Sequence, residues 1–220
     1  MTALPDLALF DVDGTLFDSE RVWAEALALA MEALGERQRP ERLMALIYGM
    51  AWPDAWRTLR DAFPRALEGL SVASLGRMMV ERFDALFAAR PPVIRPAIDL
   101  LRRLRAVGVP CAYVSGSPRA TIAHDLRAAG IESLLDEARS VPSDDVTRGK
   151  PDPEGYLLAL RRFGADPART VVFEDSRVGA TAALAAGVGR VCVCPPPSAP
   201  AQDYPPGVVR LASWDDFATP

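Results

Sequence analysis

The chain has 220 residues, half of them hydrophobic and a quarter charged, with a net charge of −4. That length holds one core domain plus an insert, or two small domains. No basic block is present, which excludes nucleic acid as a partner, because backbone-phosphate binding needs clustered Lys and Arg. No apolar run approaches the roughly 20 residues of a membrane span, so no membrane partner is expected. The N-terminus lacks a basic stretch followed by a long apolar one, and three cysteines are an odd count; the expectation is a cytoplasmic protein with reduced thiols. Cys192 and Cys194 stand two apart on an apolar run without further soft ligands nearby, which reads as packing rather than a metal site.

In chain order, "LALF" at 7–10 is the first short apolar run bounded by turn signals. It is followed at 109–114 by "VPCAYV", at 170–173 by "TVVF" and at 190–194 by "RVCVC". Runs of this kind predict parallel strands covered on both faces. Between and after them lie helical patterns that stop at Gly108, Gly130, Gly164 and Gly187, where a helix C-terminus favours a residue at positive φ. Strands alternating with helices predict a doubly wound α/β core with a parallel, Rossmann-like sheet. Residues from about 19 to 90 break the rhythm and look purely helical. Trp23, Leu27, Met31 and Leu34 form one stripe, with Ser19 as N-cap and Gly35 as a stop. Further helices are predicted at 41–48, 54–63 and 72–89. The core therefore covers 1–17 and 92–220, and an inserted helical cap covers 18–91. The Pro-rich piece at 195–206 reads as a surface loop and "WDDF" at 214–217 as a terminal turn of helix.

In an open α/β sheet, ligands collect beyond the carboxyl ends of the strands. The first strand ends in Asp11 and Asp13, the second in Ser115 of "SGSP", and the third in Glu174 and Asp175 of "FEDS". Lys150, the sole lysine beside 24 arginines, stands in "RGKPDPEG" ahead of two prolines. Two like charges about 4 Å apart cost roughly 4 kcal/mol at an effective dielectric near 20, and one ammonium cannot offset four carboxylates. Either some acids stay protonated or a hard divalent cation, Mg²⁺, joins their oxygens. Given the cation, Asp11 can attack a phosphorus atom. Asp13, returned to the same pocket by a bend at Gly14, can protonate the leaving oxygen and later deprotonate water. Gly14 gives backbone amides room to approach the phosphoryl oxygens, and Ser115 adds a hydroxyl donor. Singly, each of these motifs reads more readily as a turn, a cap or a solvated charge; their conjunction in strand-end order carries the functional reading.

"DVDGT", "VSGS", "GKPDP" and "FEDS" resemble, in the usual order, the four motifs of the haloacid dehalogenase-like superfamily of phosphotransferases. The helical insert resembles that superfamily's alpha-helical cap. The resemblance implies Asp11 as nucleophile and Asp13 as general acid and base. It implies Mg²⁺ held by the side chains of Asp11 and Asp175 and the backbone carbonyl of Asp13, with Glu174 acting through water. It also implies a phosphate site at Gly14, Ser115, Gly116 and Lys150, and Thr15 as the residue that orients Asp13. Relatives often carry glycine at Ala97, which lies outside the motifs.

The implied activity is Mg²⁺-dependent hydrolysis of a small phosphorylated metabolite: a sugar or polyol phosphate, or phosphoglycolate. Asp13 argues against dehalogenation and the lysine-free cap against Schiff-base phosphonate hydrolysis. A beta-phosphoglucomutase-like mutase is the nearer rival, but Trp23 and Trp52 stand where such mutases tend to carry a histidine and a second-phosphate arginine. A receiver-like phosphoacceptor domain would have no cap. Within "YGMAWPDAW" at 48–56, Gly49 permits a tight turn, and Trp52 and Trp56 offer flat faces to a substrate or to the cap's own core. Arg57 and Arg119 are candidates for a substrate hydroxyl or carboxylate, and His124 reads as structural. A monomer or weak dimer is expected.

Overall fold

The computed structural model describes residues 4–47, 50, 52–199 and 201–218. In chain order the elements are β1 (Leu7–Phe10), α1 (Ser19–Ala33), α2 (Pro40–Ile47), α3 (Trp52–Ala62), α4 (Val72–Ala89) and α5 (Arg95–Ala106). They continue with β2 (Cys111–Tyr113), α6 (Arg119–Ala128), α7 (Glu154–Phe163), β3 (Thr170–Glu174), α8 (Arg177–Ala185), β4 (Arg190–Val193) and β5 (Val209–Arg210). The chain divides into two compact units, Met1–Asp18 with Val93–Pro220, and Ser19–Pro92.

The first unit is an α/β core. Its five strands are all parallel, in the order β2-β1-β3-β4-β5. β1 therefore lies between β2 and β3, and the chain changes direction across the sheet there. Both faces are covered, which is why β1, β2 and β3 carry no exposed residue. On one face Leu7, Leu9, Val172 and Val191 pack with Tyr156 and Leu160 of α7 and Ala180 and Ala183 of α8. On the other, Phe10 stacks on Phe173 at 4.6 Å, and Phe173 meets Trp214 and Phe217 edge-on. Each fully buried Leu or Phe contributes about 1.5–3 kcal/mol relative to exposure. Gly108, Gly130, Gly164 and Gly187 all have positive φ, between 60° and 83°, as the helix stops require.

The second unit is helical. α1 packs against α4 and α2, and α2 against α3. Leu27, Met31, Leu43, Leu59, Leu75 and Met79 form its core, and Trp23 stacks on Phe83 at 4.1 Å. Ser71 caps α4 by accepting the Ser74 amide at 3.1 Å.

Four details differ from expectation. Ser19 is the first residue of α1 rather than its cap. The second strand is trimmed to Cys111–Tyr113, because Val114 leaves it to bridge Val141. A fifth strand at Val209–Arg210, two exposed residues long, has too little apolar pattern to be seen in the sequence. The segment 195–206 is not wholly a surface loop: Pro196 is buried and Tyr204 packs on the core. Gly49 lies outside the described residues.

Candidate active site

The parallel register places Phe10 beside Tyr113 and Phe173, so β1, β2 and β3 release their next residues at one edge of the sheet. The Asp11 amide still donates to the Phe173 carbonyl at 2.9 Å, and the Val114 amide to the Phe10 carbonyl at 2.9 Å. Directly beyond, the Leu16 and Phe17 amides turn back onto the Val12 carbonyl, and the Gly14 amide donates to the Phe17 carbonyl at 2.6 Å. Gly14 itself sits at φ +88°, and a Cβ there would overlap the Asp175 carboxylate. Glycine is thus required twice over, by its conformation and by the closeness of the third strand's acids.

Lys150 joins the strands' acids. Its ammonium donates to Asp11 Oδ1 at 2.6 Å and to Glu174 Oε1 at 2.5 Å. Glu174 is fully buried. Tyr156 donates its hydroxyl to Oε1 at 2.8 Å, while Oε2 accepts from the Ser176 hydroxyl at 3.0 Å and from the amides of Asp175 and Ser176 at 3.2 Å. A Cβ at Gly179 would run into this carboxylate. Glu174 is therefore a fixed, hydrogen-bonded counter-ion, and its bonds hold the lysine in place.

Asp11, Glu174 and Asp175 each offer an oxygen within 4.8 Å of the others. Burial, reinforced by the neighbouring carboxylates, pushes Asp11 up to about 7 and Asp175 up to about 9. Burial alone would depress Lys150, but the charges of Asp11 and Glu174 hold it well above its usual value. Asp11 Oδ2 is buried with no hydrogen-bond partner. Clustered, partly uncompensated carboxylate oxygens are the donor set a hard divalent cation takes, so the residues present fit Mg²⁺.

Ser115, Gly116 and Lys150 line one cavity of about 230 Å³ together with Tyr156. The Ser115 hydroxyl oxygen accepts the Ser117 amide at 3.0 Å, which leaves its proton available for donation. Asp13 lies outside the cluster of Asp11, Glu174 and Asp175. Its Oδ2 accepts the Ser117 hydroxyl at 2.7 Å. The sequence reading gave the orienting role to Thr15, but the Thr15 hydroxyl is buried without a hydrogen-bond partner. Tyr156, Ser117, Ser176 and Tyr204, which donates to the Asp175 carbonyl at 2.5 Å, were not singled out from the sequence. The one usable signal was the second serine of "SGS".

The remaining candidates meet other neighbours within their own units. The Arg57 guanidinium pairs with Asp54 on its own exposed helix face. Arg119 is held by Asp145 at 2.7 Å and by the Glu137 carbonyl at 3.2 Å, in a network shared with Arg162. Trp52 lines a cavity of about 590 Å³ within the cap unit, with Trp23, Leu27, Met44 and Met79. Trp56 packs on the cap core. His124 meets Asp125 of the same helix at 3.1 Å. Cys111 and Cys192 are buried thiols pushed up to about 12 and about 11 by that burial.

Comparison with known proteins agrees with this geometry. A family model for haloacid dehalogenase-like hydrolases matches residues 5–187. Validoxylamine A 7'-phosphate phosphatase of Streptomyces hygroscopicus subsp. limoneus is 32% identical over 187 residues, covering 83% of this chain and 82% of that protein. Hexitol phosphatase A of Escherichia coli (strain K12) is 33% identical over 198 residues, covering 87% and 84%. A haloacid dehalogenase family hydrolase from Deinococcus radiodurans R1, solved with bound phosphate and sodium, superposes with a TM-score of 0.74 at 30% identity, covering 95% of this chain and 91% of that one. The chain belongs to the haloacid dehalogenase-like hydrolases.

Proposed function

We propose that the protein is a cytoplasmic, Mg²⁺-dependent phosphatase that hydrolyses a small phosphorylated metabolite through an aspartyl-phosphate on Asp11. The observation that carries this reading is the single ammonium of Lys150 bridging Asp11 and Glu174 beside a third acid, with Asp11 Oδ2 left unbonded. Mg²⁺, held by Asp11, Asp175 and the Asp13 backbone carbonyl with Glu174 behind them, would supply the positive charge that lets an anionic nucleophile meet an anionic phosphoryl group.

Lys150 fixes the rotation of the Asp11 carboxylate through Oδ1 and adds positive charge next to the phosphoryl oxygens. Ser115 donates its hydroxyl proton to one of those oxygens. Asp11 attacks phosphorus, and the bond to the leaving oxygen breaks as Asp13 gives that oxygen a proton. Asp13, now a carboxylate, takes a proton from water. The water oxygen then displaces Asp11, which releases inorganic phosphate and restores both acids.

Two relatives are named as phosphatases of validoxylamine A 7'-phosphate and of a hexitol, which supports a phosphorylated polyol as substrate; sugar phosphates and phosphoglycolate complete the set to screen. Trp23 and Trp52 stand where such mutases tend to carry a histidine and a second-phosphate arginine, which supports hydrolysis over a mutase. Asp11→Asn should lower phosphate release from p-nitrophenyl phosphate with Mg²⁺ by about a thousandfold or more, as removal of a covalent nucleophile does. A wild-type rate in that variant would refute the nucleophile assignment. Interconversion of glucose 1- and 6-phosphates with little free phosphate would overturn hydrolysis in favour of mutation of the phosphate position.

A further inference from the structure

Lys150 stands on a loop, residues 147–153, that leads into α7. One side of that loop borders open space: Thr147, Arg148, Gly149 and Lys150 all line the cavity of about 230 Å³. Pro151 and Pro153 have no amide hydrogen to give. Within the loop, the Asp152 amide donates to the Gly149 carbonyl at 3.0 Å and closes one turn. A segment built this way needs a fastening to something rigid. The nearest rigid element along the chain is α7, anchored by its buried Tyr156, Ala159 and Leu160.

The first residue of α7, Glu154, supplies the fastening. An acid in a helix's first turn usually reads as a partner for the helix dipole. Here both carboxylate oxygens turn back to the start of the loop. Oε1 accepts the Thr147 amide at 3.0 Å, Oε2 accepts the Arg148 amide at 3.1 Å, and the Thr147 hydroxyl donates to Oε2 at 3.0 Å. These bonds, that of the Thr147 amide above all, hold the carboxyl below its usual range. Asp152 meanwhile accepts the Glu154 amide at 3.0 Å and pairs with Arg148 at 2.8 Å. The loop is thus tied at both ends to one helical turn, and Lys150 sits between the ties. From there its ammonium reaches Asp11 at 2.6 Å and Glu174 at 2.5 Å.

We propose that Glu154 is the positioning residue of Lys150: its carboxylate binds Thr147 and Arg148 to the first turn of α7 and so sets where the loop delivers the ammonium. The proposal rests on the reading of Lys150 in the proposed function. Glu154 acts through the loop and not on the phosphoryl group. Glutamine at 154 would keep the size but turn an NH₂ toward backbone amides that can only donate, so one tie is lost. A shift of about 1 Å at a catalytic group is enough to cost about a hundredfold in rate.

The sole lysine gives the test a direct readout. Protein grown with lysine labelled with ¹³C at Cε shows one lysine side-chain signal, and the order parameter of that methylene in the ion-free protein reports how firmly Lys150 is held. Glu154→Gln should lower it by about a third or more. Thr147→Val, which keeps both amides, should lower it by less. With p-nitrophenyl phosphate and Mg²⁺, Glu154→Gln should reduce kcat/KM by about tenfold or more, and Lys150→Met by about a hundredfold or more. In the Lys150→Met background the Glu154 substitution should cost less than about twofold, because residues that act as a unit are not additive. An unchanged order parameter in Glu154→Gln, or a full tenfold loss from it in the Lys150→Met background, would overturn the proposal alone. The order parameter needs no Lys150 variant, so it decides the matter even where Lys150→Met does not fold. A wild-type kcat/KM in Lys150→Met would overturn the role given to Lys150 in the proposed function, and the proposal with it.

Discussion

In the core unit Asp11, Asp125 and Glu174 lie buried; in the cap unit, Ser19 is the one polar side chain buried among the described residues. The cap's interior is made of Leu, Met and aromatic side chains, whose burial is non-directional and tolerates exchange for others of like volume. The core's buried acids are stabilised only by particular partners: Lys150 for Asp11, and Lys150, Tyr156 and Ser176 for Glu174. Removing a partner there strands a charge, whereas removing a cap side chain leaves a void. Chemistry is thus concentrated in the unit that cannot vary freely, and shape in the unit that can.

This contrast can be broken or sharpened experimentally. The largest effect should come from Lys150→Met, which leaves two buried carboxylates without their ammonium. Breaking such a pair costs about 3–5 kcal/mol; urea denaturation in the presence of EDTA measures it. A loss under about 1 kcal/mol would mean that the acids do not depend on Lys150. Phe83→Ala removes the ring on which Trp23 stacks in the cap and should cost about 3 kcal/mol. That loss should be the same with or without Mg²⁺, because a void carries no charge.

The third effect depends on pH. Asp11 and Asp175 titrate in the ion-free fold at about 7 and about 9, both raised chiefly by burial. Between pH 4 and those values the folded state holds more protons than the unfolded chain, so stability without the ion falls as pH rises. A divalent cation replaces those protons. The rise in melting temperature caused by Mg²⁺ should therefore be small at pH 5 and grow toward pH 8; a pH-independent rise would place the ion elsewhere. The smallest effect is expected for Arg57→Ala, whose pair with Asp54 is exposed. It should change stability by less than about 0.5 kcal/mol.

Legibility in the sequence followed the same division. The first strand and the positive-φ glycines were readable because short apolar runs and helix stops are local signals. That Asp11, Lys150, Glu174 and Asp175 come together was readable because acids and a lone lysine at strand ends have few bland explanations in combination. Contacts between distant single residues were not readable. Tyr156 lies inside the helical pattern that stops at Gly164, with nothing local to mark it, yet its hydroxyl meets Glu174. The resemblance gave the orienting role to Thr15, whose hydroxyl makes no hydrogen bond, while the Ser117 hydroxyl reaches Asp13 from a distant loop. Arg119 looked available for a ligand because its partner Asp145 comes 26 residues later, in a loop without periodic pattern.

Tyr204 has a practical consequence. The family match ends at residue 187, but the phenol at 204 reaches back to the Asp175 carbonyl and Gln202 accepts the Arg177 amide at 3.0 Å. Anyone trimming the gene to its recognisable hydrolase segment would discard β4, β5 and both of these tethers. The proline-rich segment is thereby tied to the turn that carries Asp175.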